Sequence, residues 1–144
     1  MATWHADENK RKAIGDEYED LFPQQVNCHC GGAFVFVGNV KRGFPDFTCD
    51  NCGQLADVKS SPQSERTGNI AVSQIPWDNY PDDMLLVTNI GGQWLGAYKR
   101  HIDLGSVSRA PTHAQAGRFA STRFYLIGWR QFRSLNLLGY KVSK

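Results

Sequence analysis

Four cysteines constrain this chain more than any other feature in it. They stand as Cys28-x-Cys30, a spacer of eighteen residues, then Cys49-x-x-Cys52. Two short-spaced thiolate pairs are the ligand set a tetrahedral zinc ion requires, one knuckle from each side. The spacer supplies the means of joining them. AFVFVG (33–38) reads as an apolar strand, GNVKRG as a turn and FPDFTC (44–49) as a second strand. A hairpin turning near residue 40 lays the start of the first strand beside the end of the second, so Cys28 and Cys30 meet Cys49 and Cys52. Gly31, Gly32 and Gly53 follow the knuckles, where the backbone passes close to the metal. His29 is wedged between two ligands and is expected to point away. With no open coordination position or adjacent general base, the zinc is expected to be structural.

The competing reading of four cysteines is buried thiols or a disulfide pair. The start of the chain, MATWHADENKRK, has no apolar stretch of the kind a secretory signal needs. That leads to the expectation of a reducing, cytoplasmic compartment, where clustered cysteines are metal ligands before they are disulfides. GAFVFVG and MLLV are the longest apolar runs, far short of the ~20 residues that span a bilayer, so no membrane partner is expected. A length of 144 residues, 41% hydrophobic and 21% charged, fits one soluble domain over 1–144.

Charge is unevenly spread. Residues 1–24 carry six acids against three bases, whereas residues 97–144 carry nine bases against Asp103 alone. With Phe119, Phe124, Tyr125, Trp129 and Phe132 interleaved, that basic third reads either as a solvated face or as a footprint for a polyanion.

Residues 6–22 read as a helix with an acidic first turn, an apolar stripe of Ile14, Tyr18, Leu21 and Phe22, and Pro23 as its stop. QLADVKSS (54–61) continues the first two strands as an antiparallel meander around the CDNCG turn, and SSPQSERTGN (60–69) reads as a loop. MLLVTNI (84–90) and QWLGAYKRHI (93–102) form a hairpin about Gly91-Gly92. Residues 105–122 read as an excursion or short helix, and 124–138 as a strand, a helix or one of each. Trp77, Trp94 and Trp129 are expected in the core, and His5, His101 and His113 form no catalytic pair.

The zinc hairpin carries a second chemistry. Asp46 lies three residues before Cys49 and Asp57 five after Cys52, so an antiparallel fold about the CDNCG turn sets the two aspartates opposite each other. Like charges directly opposed destabilise a sheet. A shared divalent cation removes that penalty, because Mg²⁺ binds through one or two carboxylates and keeps water and phosphate oxygens as its other ligands. Lys59, two residues beyond Asp57, falls on the same face. Asp57 and Lys59 as an ordinary surface pair is the bland alternative.

Pro45-Asp46, a ten-residue gap and Asp57-Val58-Lys59 resemble the motif of the PD-(D/E)XK nuclease superfamily, which includes restriction enzymes, Holliday-junction resolvases and phage exonucleases. The resemblance implies a restriction-endonuclease-like α/β core: a helix, a three-stranded antiparallel meander, a further helix and further strands in a mixed sheet. Here a zinc knuckle is inserted at the meander end. Gly15-Asp16-Glu17-Tyr18-Glu19 looks like the Gly-x-x-x-Glu of the resolvases, which makes Glu19 the helix acid, with Glu17 as runner-up. The central helix after Lys59 is not evident in IAVSQIPWDNYPDD, which is rich in proline.

What the resemblance implies is an Mg²⁺- or Mn²⁺-dependent DNA endonuclease. Asp46, Asp57 and the Val58 carbonyl would hold the metal, Glu19 would complete its shell, and Lys59 would orient the attacking water. Small nucleases of this kind often act as homodimers, since cutting two strands needs two sites. The alternatives are a non-catalytic zinc ribbon binding nucleic acid, or an interaction protein on a degenerate nuclease fold.

Overall fold

The computed structural model describes residues 17–38, 45–60, 68–104, 108–109 and 124–143. The first half of the expected helix, the turn after residue 38, the loop 61–67 and most of 105–122 lie outside the described residues, as do His5 and His113.

Helix α1 is described over 17–25 and runs through Pro23, which was expected to end it. Its hold is tertiary. Phe22 is fully buried, its ring 4.8 Å from Phe34, 5.1 Å from Phe47 and 5.7 Å from Trp94. Burying a phenylalanine contributes roughly 2–3 kcal/mol. Pro23 removes the donor to the Glu19 carbonyl and crowds that carbonyl with its ring, a cost of about 3 kcal/mol that burial of Phe22 offsets. Gln24 Nε2 donates to the Asp20 carbonyl at 3.0 Å, returning a donor to the same turn. Tyr18 and Leu21 pack on the same core, so the stripe read from the sequence does face the sheet.

That sheet is mixed. Strands β2 (Phe34–Phe36), β3 (Phe47–Cys49) and β4 (Leu55–Val58) form the expected meander, with Phe34 opposite Cys49 and Phe47 opposite Ala56. β6 (Leu85–Ile90) then pairs parallel to β4, and β7 (Gln93–Tyr98) returns antiparallel to β6. Gly91 (φ 60°) and Gly92 (φ 85°) make the turn between them, in left-handed conformations that match a two-residue hairpin. β10 (Arg133–Ser134) closes the order β10-β7-β6-β4-β3-β2.

Between β4 and β6 the chain forms β5 (Asn69–Ser73) and a six-residue helix α2 (Gln74–Asn79). The short helix is where a core helix was sought; β5 was not foreseen. β5 pairs with β9 (Phe124–Gly128), which also pairs with β8 (Ser108–Arg109), in a separate three-stranded sheet. β1 (Val26–Asn27) and β11 (Lys141–Val142) form a third pair. Residues 124–138 resolve as a strand, a 3-10 turn at Trp129–Gln131 and the short β10, with no α-helix.

β4 is buried on both faces. Ala56 and Val58 join the cluster of Phe22, Phe34, Phe47, Trp94 and Tyr140, whereas Leu55 faces Ile70, Val72, Trp77, Tyr80 and Met84. Strand alternation puts Asp57 on the side of Leu55, in apolar surroundings. Trp77 and Trp94 are core, as expected. Trp129 is not: it is 51% exposed, its indole lying so close over Gly68 that a Cβ there would meet it at 2.6 Å. Among the described residues no helix is long and apolar enough to cross a membrane.

Candidate functional site

Opposite ends of the meander carry two clusters. At the turn end the four cysteine sulfurs all lie within 4.8 Å of one another. Cys28 Sγ is 3.5 Å from Cys52 Sγ, and Cys30 Sγ is 3.4 Å from Cys49 Sγ. Disulfides would need about 2.05 Å, and all four thiols are free. Four sulfurs about 2.3 Å from a central zinc stand roughly 3.8 Å apart in a tetrahedron, so this donor set fits the ion.

The backbone is arranged around sulfur. Gly32 N–H donates to Cys30 Sγ at 3.4 Å, while Asn51 and Cys52 N–H donate to Cys49 Sγ at 3.4 and 3.5 Å. Such donors favour the thiolate; Asn51 and Gly32 lower Cys30 to about 6. Burial acts the other way on Cys28 and pushes its thiol up. Gly31 and Gly53 have φ of 90° and 80°. A Cβ on Gly32 would come within 2.7 Å of Cys49 Sγ, so the approach expected of the glycines is real. His29 is exposed, yet its Nδ1 lies 3.3 Å from Cys28 Sγ, next to the cluster rather than away from it.

At the other end, one step beyond the paired Phe47 and Ala56, Asp46 stands opposite Asp57. Asp57 is 1% exposed and fully partnered. Its Oδ1 accepts the Asp46 backbone N–H at 3.0 Å, and its Oδ2 accepts the Tyr80 hydroxyl at 3.1 Å. Lys59 Nζ lies 3.4 Å from the same Oδ2, on a side chain 39% exposed. Glu19 reaches across from α1 into the field of the Asp46 carboxylate.

The electrostatics follow from that crowding. Burial, with Asp46 beside it, pushes Glu19 up to about 7. Burial also raises Asp57, against the opposing pull of Lys59. For Lys59, burial works downward, but Asp57, Asp46 and Glu19 outweigh it and the ammonium is held above its ordinary value. Three acids and one base from α1, β3 and β4 thus share one field. Glu17 is exposed, whereas Glu19 is half-buried and lies in the field of Asp46. Val58 sends its side chain into the core on the other face, so only its backbone is available to this cluster.

The acids stand wider apart than the sulfurs: among the described residues only the cysteines gather three or more ligand atoms within 4.8 Å. A cavity of about 310 Å³ opens beside Glu19, lined with it by Asp20, Pro23, Gln24, Phe36 and Phe47; Asp46, Asp57 and Lys59 are not among its walls. A Cβ on Gly38 would collide with the Phe36 ring and come within 3.1 Å of Asp46 Oδ1.

Tyr80 was not anticipated. It follows α2, in a segment whose prolines hid the helix, and nothing in NYPDD marks its hydroxyl as a partner of Asp57. Thr88 was also missed. It lies one step beyond the Val58–Val87 pair, on the Lys59 side, and its Oγ1 is buried with no hydrogen-bond partner among the described residues.

The basic third divides. Lys99 is used internally, donating to the Tyr80 carbonyl at 2.7 Å and lying over the Trp77 ring. Arg100 lies over Tyr98 and Arg130 over Trp129, both exposed. Arg133 and Lys141 are exposed too, while the side chains of Arg109, Arg118, Arg123 and Lys144 lie outside the described residues. No protein-family model matches the chain, and no curated protein is similar to it.

Proposed function

We propose that the chain is a metal-dependent DNA endonuclease on a PD-(D/E)XK-type core, with a structural zinc at the far end of the catalytic hairpin. One observation carries the reading. Glu19, Asp46, Asp57 and Lys59 converge at the open end of the meander, although three of the four are like-charged. A fold does not gather acids without a reason, and hard-oxygen donors beside an ammonium suit Mg²⁺ or Mn²⁺ and a phosphate. The element order supports it as well: helix, antiparallel meander, short helix, then a strand parallel to β4.

In this reading Asp46 and Asp57, with the Val58 carbonyl, hold the cation, and Glu19 completes the set. When bound, the cation supplies Lewis-acid activation of water and of the scissile phosphate. Lys59 orients the attacking water and stabilises charge developing on the phosphoryl oxygens. The exposed Arg100, Arg130, Arg133 and Lys141 grip the DNA backbone without reading bases, so binding weakens steeply with salt. A homodimer would supply two sites for two strands.

The test is supercoiled plasmid incubated with purified protein and Mg²⁺ or Mn²⁺, beside Asp57→Ala. Nicking by the wild type alone is expected; equal nicking by both removes the assignment. The wider spacing of the carboxylates favours a second reading, a non-catalytic zinc module that binds nucleic acid. Under it Asp57→Ala leaves binding intact and Mg²⁺ does not shift the melting temperature.

A further inference from the structure

We infer that Tyr80 is a positioning residue of the carboxylate cluster: by occupying Oδ2 of Asp57 it releases the Lys59 ammonium to turn toward the reacting phosphate. The inference rests on the nuclease reading above and names a part of the machinery that its motif does not contain.

A carboxylate buried as deeply as Asp57 needs donors on both oxygens. Oδ1 has one that cannot leave, the backbone N–H of Asp46. Oδ2 has two unequal ones. The Tyr80 hydroxyl stands at 3.1 Å, the Lys59 ammonium at 3.4 Å. Both are longer than well-formed bonds to a carboxylate, about 2.5–2.7 Å for a hydroxyl and 2.7–2.9 Å for an ammonium, so neither is drawn tightly onto Oδ2 and length alone does not rank them.

The two donors differ in freedom. Tyr80 is buried and tied down on every side. Its N–H donates to the carbonyls of Pro76 and Trp77, its carbonyl takes the Lys99 ammonium, and its ring packs edge-on to Trp77 at 6.2 Å. Lys59 has a four-carbon stem and is 39% exposed. The fixed donor therefore satisfies the buried oxygen, and the mobile one is left for the substrate. The short helix α2 thereby gains a role, because its last turn aims the phenol at β4.

The experiment compares Tyr80→Phe, which keeps the ring and removes only the hydroxyl, with wild type and Asp57→Ala. Steady-state cleavage of a duplex oligonucleotide in Mg²⁺ is measured together with the rate at which acetic anhydride labels Lys59, read by mass spectrometry. Without the hydroxyl, Lys59 becomes the one side-chain donor on Oδ2. The expected result is a fall in kcat of about tenfold or more at unchanged KM, with slower labelling of Lys59. If Tyr80→Phe matches wild type in kcat and labelling while Asp57→Ala is inactive, the inference falls and the nuclease reading stands. A parallel loss of kcat, KM and melting temperature also overturns it, since that is a merely structural effect. Cleavage that is absent in wild type, or that survives Asp57→Ala, overturns both.

Discussion

The two ends of the β2–β3–β4 meander hold clusters of similar size and opposite character. At the turn, four sulfurs close on a common centre, with backbone N–H groups aimed at them and glycines where a side chain would collide. At the open end, three carboxylates and an ammonium stand wider, on elements that differ in sequence and in kind, with Glu19 on the wall of a cavity of about 310 Å³. Cys49 and Asp46 are only three residues apart on one strand, a distance of about 10 Å. The difference teaches how one hairpin can keep two roles apart. A site whose donors surround a soft ion is closed to substrate and stabilises the fold. A site whose hard donors stand wider beside a half-exposed ammonium costs stability when empty, and in the proposed reading it is the one that does chemistry.

The largest test of that contrast is loss of the proposed zinc. Cys49→Ser, or extraction by a chelator, is expected to abolish cooperative unfolding or lower the melting temperature by more than about 10 °C, because structural zinc contributes on the order of 10 kcal/mol. Calorimetry and zinc content by mass spectrometry check it; a zinc-free protein with wild-type melting would show the sulfurs to be idle.

At the open end the expectation is reversed. Asp57→Asn should lower cleavage at least about 10³-fold, yet shift the melting temperature in Mg²⁺-free buffer by no more than about 5 °C, since the Lys59 ammonium left behind is 39% exposed and can be solvated, and the amide keeps an oxygen acceptor. A collapse in stability like that of the cysteine variant would erase the distinction between the two ends.

Gly32→Ala probes the closed end more gently. Its Cβ would sit 2.7 Å from Cys49 Sγ, and a shift of this kind costs about 1–3 kcal/mol. The readout is a melting temperature a few degrees lower with zinc still bound.

The smallest effect concerns pH. Glu19 is raised from 4.5 to about 7. Below pH 4.5 it is protonated in both folded and unfolded chains; between 4.5 and 7 the unfolded chain gives up its proton first. Folding stability without Mg²⁺ therefore falls as pH rises through that window and levels above it. Glu19→Gln should remove that slope. Subtracting the two melting curves between pH 5 and 8 cancels the thiol titration common to both, and an unchanged difference across the range would place Glu19 outside the shared field.

Much of this was legible because it depends on local spacing. The CDNCG turn fixes the register of β3 and β4 within a few residues, so the opposition of Asp46 and Asp57 could be counted off. The alternation of a strand then put Lys59 beside Asp57. Pro23 misled for the opposite reason: its local meaning is a stop, but Phe22 packs against three rings from distant segments, and burial keeps the helix going. Trp129 misled likewise, since a large apolar ring is expected inside and this one lies out over Gly68.

What the sequence by itself determined is the chemistry at each end of the hairpin: which donors are soft, which are hard, and how far apart along the strands they fall. Only the tertiary structure decided which neighbours those donors keep. It set Glu19, and not the exposed Glu17, in the field of Asp46 through the face α1 presents to the sheet, and it brought Tyr80 from the end of α2 onto Asp57 across twenty-three residues. Spacing within a hairpin is set by backbone periodicity and can be read from the chain. Contacts between elements are set by how their apolar faces bury one another, and those become visible only once the core has formed.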